Sequence, residues 1–571
     1  MIRSSNVGTV ARVLLAVSLA GFAPPLSAIQ DAVAPVRAAH GMVVSETVAA
    51  SQVGANVLAA GGNAVDAAIA TGLALAVTHP AAGNIGGGGF MVIRFPDGGV
   101  TALDFREKAP LAAYPRMFID ESGEYSRQIH HDSHLAVGVP GTVAGFWKAH
   151  ALYGNEEWAS LVSPAVTLAR DGFPLTERLA GSLSRLVQRR ADYPATVAAF
   201  SKHGEPYAPG EILRQPDLAR TLGRIQREGR DGFYEGETAR LLTAEMRRAG
   251  GMITEEDLAR YRPRERTPIR GTYRGYDIIS MPPPSSGGIA LVEMLNILEG
   301  YHLAAMGHNS VAYVHHLTEA MRMAFRDRAR FVADVDFVDV PVHRLTSKDY
   351  AGELRTGISS VRATDSEPSD IVLPHEGEET THYSVVDASG RAVSVTYTLE
   401  QGYGSGIVVP GAGFLLNNEM GDFNAQPGLT NERGLIGTTP NLARPEQRML
   451  SSMTPSIIAR DGELVAVVGS PGGRTIFNTV LQVVLNVIEF DMNIQEAVDA
   501  PRLHHQWLPD RITIESDGVS PSTVAGLERM GHEVVVRGGQ GLSHSIMIDP
   551  VTGERLGAAD GRNPDSRAVG H

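Results

Sequence analysis

Two threonines stand side by side at Thr380 and Thr381, heading the stretch T-T-H-Y-S-V-V-D, and a third hydroxyl, Thr398, lies near the end of R-A-V-S-V-T-Y-T-L. If Asp387 to Arg391 form the loop of a hairpin, Val386 pairs with Ala392, Ser384 with Ser394, His382 with Thr396 and Thr380 with Thr398. A loop of that length is common in hairpins. Alternation then gathers these residues on one polar face and turns Val385, Val393, Val395, Tyr397 and Leu399 to the other. Two hydroxyls in hydrogen-bond range could supply a nucleophile and the group that orients it. A solvated strand face accounts for the same pattern, and from the pattern alone it is the preferred reading.

A second candidate is V-V-G-S-P-G-G-R-T, from Val467 to Thr475, where a strand runs into a helix through Gly472 and Gly473. Consecutive glycine N–H groups at a helix start can hold an anion or an oxyanion; a plain strand-to-helix turn reads equally well. Polar groups also sit near predicted strand ends in D-F-R-E-K (Asp104 to Lys108), N-N-E-M-G-D-F (Asn417 to Phe423) and S-S-M-T-P (Ser451 to Pro455). His130, His131, Asp132 and His134 cluster, as do His504 and His505, but no metal-ligand spacing emerges and surface or packing histidines are preferred. No metal site is expected. A G-x-S-x-G elbow is absent.

The elements that must position these groups are legible in outline. S-E-T-V-A-A-S-Q-V-G-A-N-V-L-A-A-G-G-N-A-V-D-A-A-I-A reads as two Ala-rich helices split at Gly61-Gly62, with Asn63 capping the second. G-N-I-G-G-G-G-F (Gly83 to Phe90) marks a tight backbone approach before a strand. From about Ala112 to Val372 the chain looks mainly helical, with P-P-P-S-S-G-G (Pro282 to Gly288) as a loop and an exposed acidic linker between Gly357 and Glu379. Past Thr380 strands dominate, and Asp461-Gly462 signals a hairpin. The coarse expectation is two layers of sheet with helices outside, drawn from both halves of the chain.

A net charge of −14 argues against a nucleic-acid partner, which needs a basic footprint. Without cysteine there can be no disulfide, thiolate metal site or cysteine nucleophile. Arg3 and Arg12, the apolar run Val13 to Ala23 and a small residue at Ala28 make a secretory signal peptide over 1–28. The apolar run is too short to span a membrane. The mature chain is therefore expected in the periplasm or outside the cell, with no membrane span after signal cleavage.

In order along the chain come G-G-N-A-V-D-A-A-I-A, L-D-F-R-E-K-A-P, G-V-P-G-T-V-A-G-F and M-P-P-P-S-S-G-G, and then T-T-H-Y-S-V-V-D, L-L-N-N-E-M-G-D-F, L-S-S-M-T-P, G-S-P-G-G-R and H-H-Q-W-L-P-D. Together they resemble the γ-glutamyltranspeptidase (glutathione hydrolase) family of N-terminal-nucleophile hydrolases, over essentially the whole mature chain. The resemblance implies an α+β fold, a four-layer αββα sandwich built from both subunits of a self-cleaved precursor. The cut falls between Glu379 and Thr380, giving a large subunit, 29–379, and a small catalytic subunit, 380–571, held as a heterodimer. A free N-terminal Thr380 carries nucleophile and base on one residue, because its α-amine can take the hydroxyl proton. Thr381 would keep its amide, so only the first threonine can serve.

The resemblance also assigns the other roles. Thr398 would orient the nucleophile, and the N–H groups of Gly472 and Gly473 would form the oxyanion hole. Arg106, Ser451 and Ser452 would clamp the substrate's α-carboxylate, a task suited to a guanidinium fork. Glu400, Glu419 and Asp422 would hold its α-ammonium. Glu400 stands where Asn is common, and Arg433, in the segment resembling the family's lid loop, stands where some bacterial members carry a gating Tyr. The implied substrates are glutathione and other γ-glutamyl compounds, with water, amino acids or peptides as acceptors and no cofactor. Two alternatives remain at this point: a β-lactam side-chain (glutaryl) acylase of the same fold, and an inactive binding protein for γ-glutamyl compounds.

Overall fold

Asn63 caps a helix as its sequence predicts: its side chain accepts from the N–H groups of Val65 and Asp66, while Asp66 accepts from Asn63 N at 2.9 Å. This reciprocal box starts helix Ala64–Thr78, which is buried along its whole length. The preceding helix, Val48–Ala59, ends before Gly61, whose φ of +105° lets the chain turn. In the computed structural model, Met1 and residues 34–367, 380–428 and 438–571 are described. The expected signal peptide, apart from Met1, and Glu379 and Arg433 lie outside these residues.

Two seven-stranded sheets form the centre. One runs, in spatial order, Val36–Ala38, Arg555–Ala559, His544–Ile548, Glu463–Val468, Ser456–Arg460, Tyr276–Ser280, Ile269–Tyr273. The other runs Arg567–Gly570, Met42–Ser45, Thr380–Val386, Ala392–Thr398, Gly88–Arg94, Val100–Asp104, Arg264–Arg266. Every neighbouring pair in both sheets is antiparallel. Each sheet takes strands from before and after position 380, as expected. Apolar side chains including Met42, Val44, Phe90, Val92, Ile457, Val467 and Ile546 fill the space between the sheets. Helix Ala64–Thr78 covers the outer face of the second sheet, where it meets Tyr383, Val385, Val393, Val395 and Tyr397. Helices Gly287–Leu298, Val311–Phe331 and Ile476–Phe490 cover the first. The result is the four-layer αββα sandwich.

Two expectations need correction. The stretch read as mainly helical also contributes three strands to the central sheets, Arg264–Arg266, Ile269–Tyr273 and Tyr276–Ser280, and a separate short pair, Phe173–Pro174 with Ile212–Leu213. The polar face of the Thr380 hairpin is not solvated either. His382, Ser384, Ser394 and Thr396 are all fully buried, because the other sheet lies over them. Ser384 Oγ donates to His544 O at 2.7 Å and Ser394 Oγ to Val468 O at 3.2 Å, so the hydroxyls tie one sheet to the other. His382 lies between Thr396 and Ser384, at 2.9 and 3.1 Å. A Cβ on Gly469 would come within 2.1 Å of its ring. The polarity is satisfied internally, as burial requires.

The Asp461-Gly462 hairpin is present, with φ of 52° and 85° at its two turn residues, the left-handed pair such turns need.

Candidate active site

The register of the central hairpin is the one its loop length predicts: Thr380 faces Thr398, His382 faces Thr396 and Ser384 faces Ser394. Thr380 Oγ1 lies 3.4 Å from Thr398 Oγ1. Thr398 also accepts from Glu400 N at 2.9 Å, and its carbonyl accepts from Asn84 Nδ2 at 2.8 Å. Asn84 Oδ1 in turn accepts from Gly87 N and Thr142 Oγ1. Gly87 must be glycine, since a Cβ there would come within 2.1 Å of Thr398 O. The Gly-rich run thus serves the close approach that its composition suggested.

Thr380 and Thr398 open on a small cavity of ≈ 20 Å³ that is also lined by Arg106, Glu400, Glu419, Asp422, Ser451, Ser452 and Gly473. Gly472 lies just outside, in the wall of a neighbouring cavity that also reaches Thr380. Gly472 and Gly473 have φ of 123° and 53°, the first a conformation that glycine alone adopts readily, and they lead through a tight turn into helix Ile476–Phe490. Ser451 and Ser452 are braced by the Pro282 to Gly288 loop. Ser286 donates to Ser451 O through both its N–H and its hydroxyl, at 2.8 and 2.7 Å. Ser451 N donates to Pro284 O at 3.0 Å. Ser452 Oγ accepts from the buried Arg328 at 3.3 Å.

Arg106 is fully buried and splits its fork between two acids, with Nη1 to Glu419 and Nη2 to Asp422. Its Nε and Nη2 also reach Met449 O and Leu450 O, both at 3.3 Å. Burial opposes its charge, but Glu419, Asp422 and Glu107 more than offset this and hold the guanidinium ionised. The acids carry the cost. Burial, partly offset by Arg106, raises Glu107 to about 7 and pushes Glu419 well above the usual carboxylate range. Both oxygens of Glu107 and one of Glu419 have no hydrogen-bond partner. A proton shared between these two carboxyls would resolve the excess of negative charge.

Glu400 completes the acid wall. It is buried with φ 81°, a left-handed conformation more natural to Asn, and its carboxylate lies 3.5 Å from His131 Nδ1. Burial raises its pKa, with His131 opposing. The two ends of the lid-like segment are tied together, as Asn441 Nδ2 donates to Asp422 O at 2.7 Å and Asn441 Oδ1 accepts from Leu450 N at 3.0 Å.

Apart from Glu379, the sequence-derived site residues therefore meet around Thr380. Reading the sequence missed Glu107, Asn84, His131, Arg328 and Arg474. Glu107 stands beside Arg106 in a quoted motif and could have been flagged as a buried partner. His131 was read as a surface or packing histidine; it is buried and touches Glu400. A separate buried trio, His315, Glu319 and His532, has ligand atoms within 4.8 Å of one another, and its two imidazoles hydrogen-bond at 2.8 Å.

A sandwich of two antiparallel sheets between helical layers, with a threonine heading a central strand, defines the class of N-terminal-nucleophile hydrolases. The cephalosporin acylase of Bacillus halodurans superposes with a TM-score of 0.84 at 29% identity, over 97% of this chain and 99% of that one. The chain belongs to the γ-glutamyltranspeptidase family, which it matches over residues 50–570. It is 47% identical over 556 residues to the glutathione hydrolase proenzyme of Escherichia coli strain K12, covering 96% of this chain and 95% of that protein. The γ-glutamyltranspeptidase structure of Helicobacter pylori is 46% identical, with a TM-score of 0.55 over 56% of this chain and 91% of that one.

Proposed function

We propose that this chain is an exported proenzyme that cuts itself between Glu379 and Thr380 and then hydrolyses or transfers γ-glutamyl groups, glutathione being one donor. The segment 1–28 serves as signal peptide, and 29–379 and 380–571 become the large and small subunits. The observation that carries the reading is the small cavity in which Thr380 meets Thr398, Arg106, the serine pair and three carboxylates. The name of the E. coli relative, a glutathione hydrolase proenzyme, agrees with it.

In maturation, Thr380 Oγ attacks the Glu379 carbonyl, the C–N bond breaks as an ester forms and frees the threonine amine, and water then hydrolyses the ester to release the Glu379 carboxylate and the Thr380 hydroxyl. An α-amine has an unperturbed pKa of about 7.7–8.0, so a useful neutral fraction exists near neutral pH and can accept the hydroxyl proton. Thr380 Oγ then attacks the donor's γ-carbonyl while Gly472 and Gly473 N–H groups take the oxyanion. The amine leaves with the proton, and water or a second amine resolves the γ-glutamyl ester. Thr398, whose hydroxyl is already fixed by Glu400 N, orients the nucleophile.

Donor recognition follows from an exchange of charges. Arg106 is engaged by Glu419 and Asp422, so an incoming α-carboxylate takes over part of its fork while the α-ammonium engages the released acids. Ser451 and Ser452 supply the remaining hydrogen bonds to the carboxylate. A glutaryl donor, the alternative that the acylase neighbour keeps open, brings no cation to Glu400, Glu419 and Asp422, and is disfavoured on that ground. Intact-mass measurement of the purified protein should find two fragments, the smaller beginning at Thr380. A chromogenic γ-glutamyl anilide should be cleaved faster than its glutaryl analogue. A single uncut chain, or a preference for the glutaryl compound, would refute the reading.

A further inference from the structure

Thr380 also borders a second and larger space. A cavity of about 930 Å³ opens past Thr380, Pro471 and Gly472, and its charged lining is Arg178, Arg474, Arg511, Arg537 and Arg562 against one carboxylate, Glu46. Its histidines do not change the balance, since burial lowers His79 and takes His504 down to about 3, leaving both neutral. Glu46 is already engaged, by Asn563 and by His544 at 3.4 Å. Arg562 is compensated by Glu515 and Asp560.

Arg474 is not. It is 6% exposed, and neither its Nε nor its Nη2 has a hydrogen-bond partner. Burial lowers its pKa to about 10, with Asp422 the one charge opposing that. At this value the side chain remains a cation near neutral pH. A buried guanidinium with vacant donors is unfavourable by itself and becomes favourable when an anion completes it. It directly follows Gly473 in the chain, so it is anchored at the turn beside the nucleophile.

The donor's γ-glutamyl part engages the side chains that line the small cavity, so the group on the amine side of the scissile bond projects past Thr380 into this second, larger space. For a γ-glutamyl peptide that group ends in a carboxylate, and so does a peptide or amino-acid acceptor. We propose that the basic cavity is the subsite for the amine-side partner, and that Arg474 binds its carboxylate while the exposed Arg537 attracts anions toward it. This rests on the reading of Thr380 as the γ-glutamyl nucleophile.

The test uses processed wild type, Arg474→Gln and Arg537→Ala. Glutathione, whose leaving group carries a carboxylate, is compared with γ-glutamyl-p-nitroanilide, whose leaving group does not. Glycylglycine is compared with its C-terminal amide as acceptor. In Arg474→Gln the ratio of kcat/KM for glutathione to that for the anilide should fall about 10-fold or more, the loss of a charge-assisted hydrogen bond. The preference for glycylglycine over its amide should fall with it. Arg537→Ala should lower the same ratios by roughly 2-fold, as screened surface charges do. Equal losses on both donors would place Arg474 against the donor's own carboxylate and overturn the proposal, as would unchanged ratios. Should Arg474→Gln fail to mature, the wild type still decides: equal KM for glycylglycine and its amide overturns the subsite. A wild type that cleaves neither donor overturns the γ-glutamyl reading itself, whereas cleavage of both with unaltered ratios overturns this inference alone.

Discussion

The two spaces that meet at Thr380 solve opposite electrostatic problems. The small one is dominated by carboxylates, and its Arg106 is already paired with Glu419 and Asp422. The large one is dominated by arginines, and its buried Arg474 lacks hydrogen-bond partners at two of its three nitrogens. A prepaired pocket admits only a ligand that offers both charges, since a lone anion or a lone cation would break a buried pair without replacing it. An open, unpaired basic cavity accepts any anion of suitable size. Selectivity for the donor and tolerance toward the other partner can therefore sit a few residues apart.

The comparison can be broken most completely at the residue both spaces share. Thr380→Ala should leave one uncut chain and abolish activity on every substrate, by roughly 10⁴-fold or more, as loss of a nucleophile does. Two fragments of normal mass from the purified variant would show that another group makes the cut. Arg106→Lys keeps the charge but loses the planar fork, and should raise the donor KM about 10- to 100-fold with processing intact. Unlike Arg474→Gln, it should affect glutathione and the anilide equally, because the lost contact is on the donor side.

Glu400→Ala sharpens the acid side. A γ-glutamyl anilide should lose about 10-fold in kcat/KM or more while its glutaryl analogue changes little. Equal losses would make the Glu400 side chain structural rather than a reader of the ammonium, since alanine keeps the N–H that bonds Thr398.

The smallest effect is on stability. Burial raises the Glu107 carboxyl from an ordinary 4.5 to about 7, so the folded state holds a proton there that the unfolded chain releases. Its ionisation thus favours the unfolded chain increasingly as pH climbs from 4.5 to 7. Glu107→Gln should gain on wild type in thermal stability across that window and hold a constant difference above it. A difference that does not vary with pH would deny Glu107 the shifted titration.

How far the site was legible depended on the kind of information each residue carried. The Thr380–Thr398 pairing could be read because a short loop fixes antiparallel register, and Asn63 because a helix cap is a local pattern. The burial of His382 and Ser384 could not, since period-two alternation describes one sheet and is silent about a second sheet laid on it. The strands around Tyr273 escaped notice because they are short and rich in arginine at one end. The hold of Glu419 and Asp422 on Arg106 spans more than three hundred residues of sequence, and Arg474 differs from a surface arginine only through what surrounds it. Family resemblance supplied the site residues; it said nothing of their ionisation.

The strand beginning at Thr380 runs through the middle of its sheet, with Met42–Ser45 on one side and Ala392–Thr398 on the other. A cut before it therefore frees an end without freeing a piece. The pieces are interlaced like two hands with fingers crossed, so pulling them apart means melting both sheets. Once nicked, such a molecule should not come apart on dilution, and it should lose its structure in one cooperative event. Neither fragment made alone would have a complete sheet on which to fold.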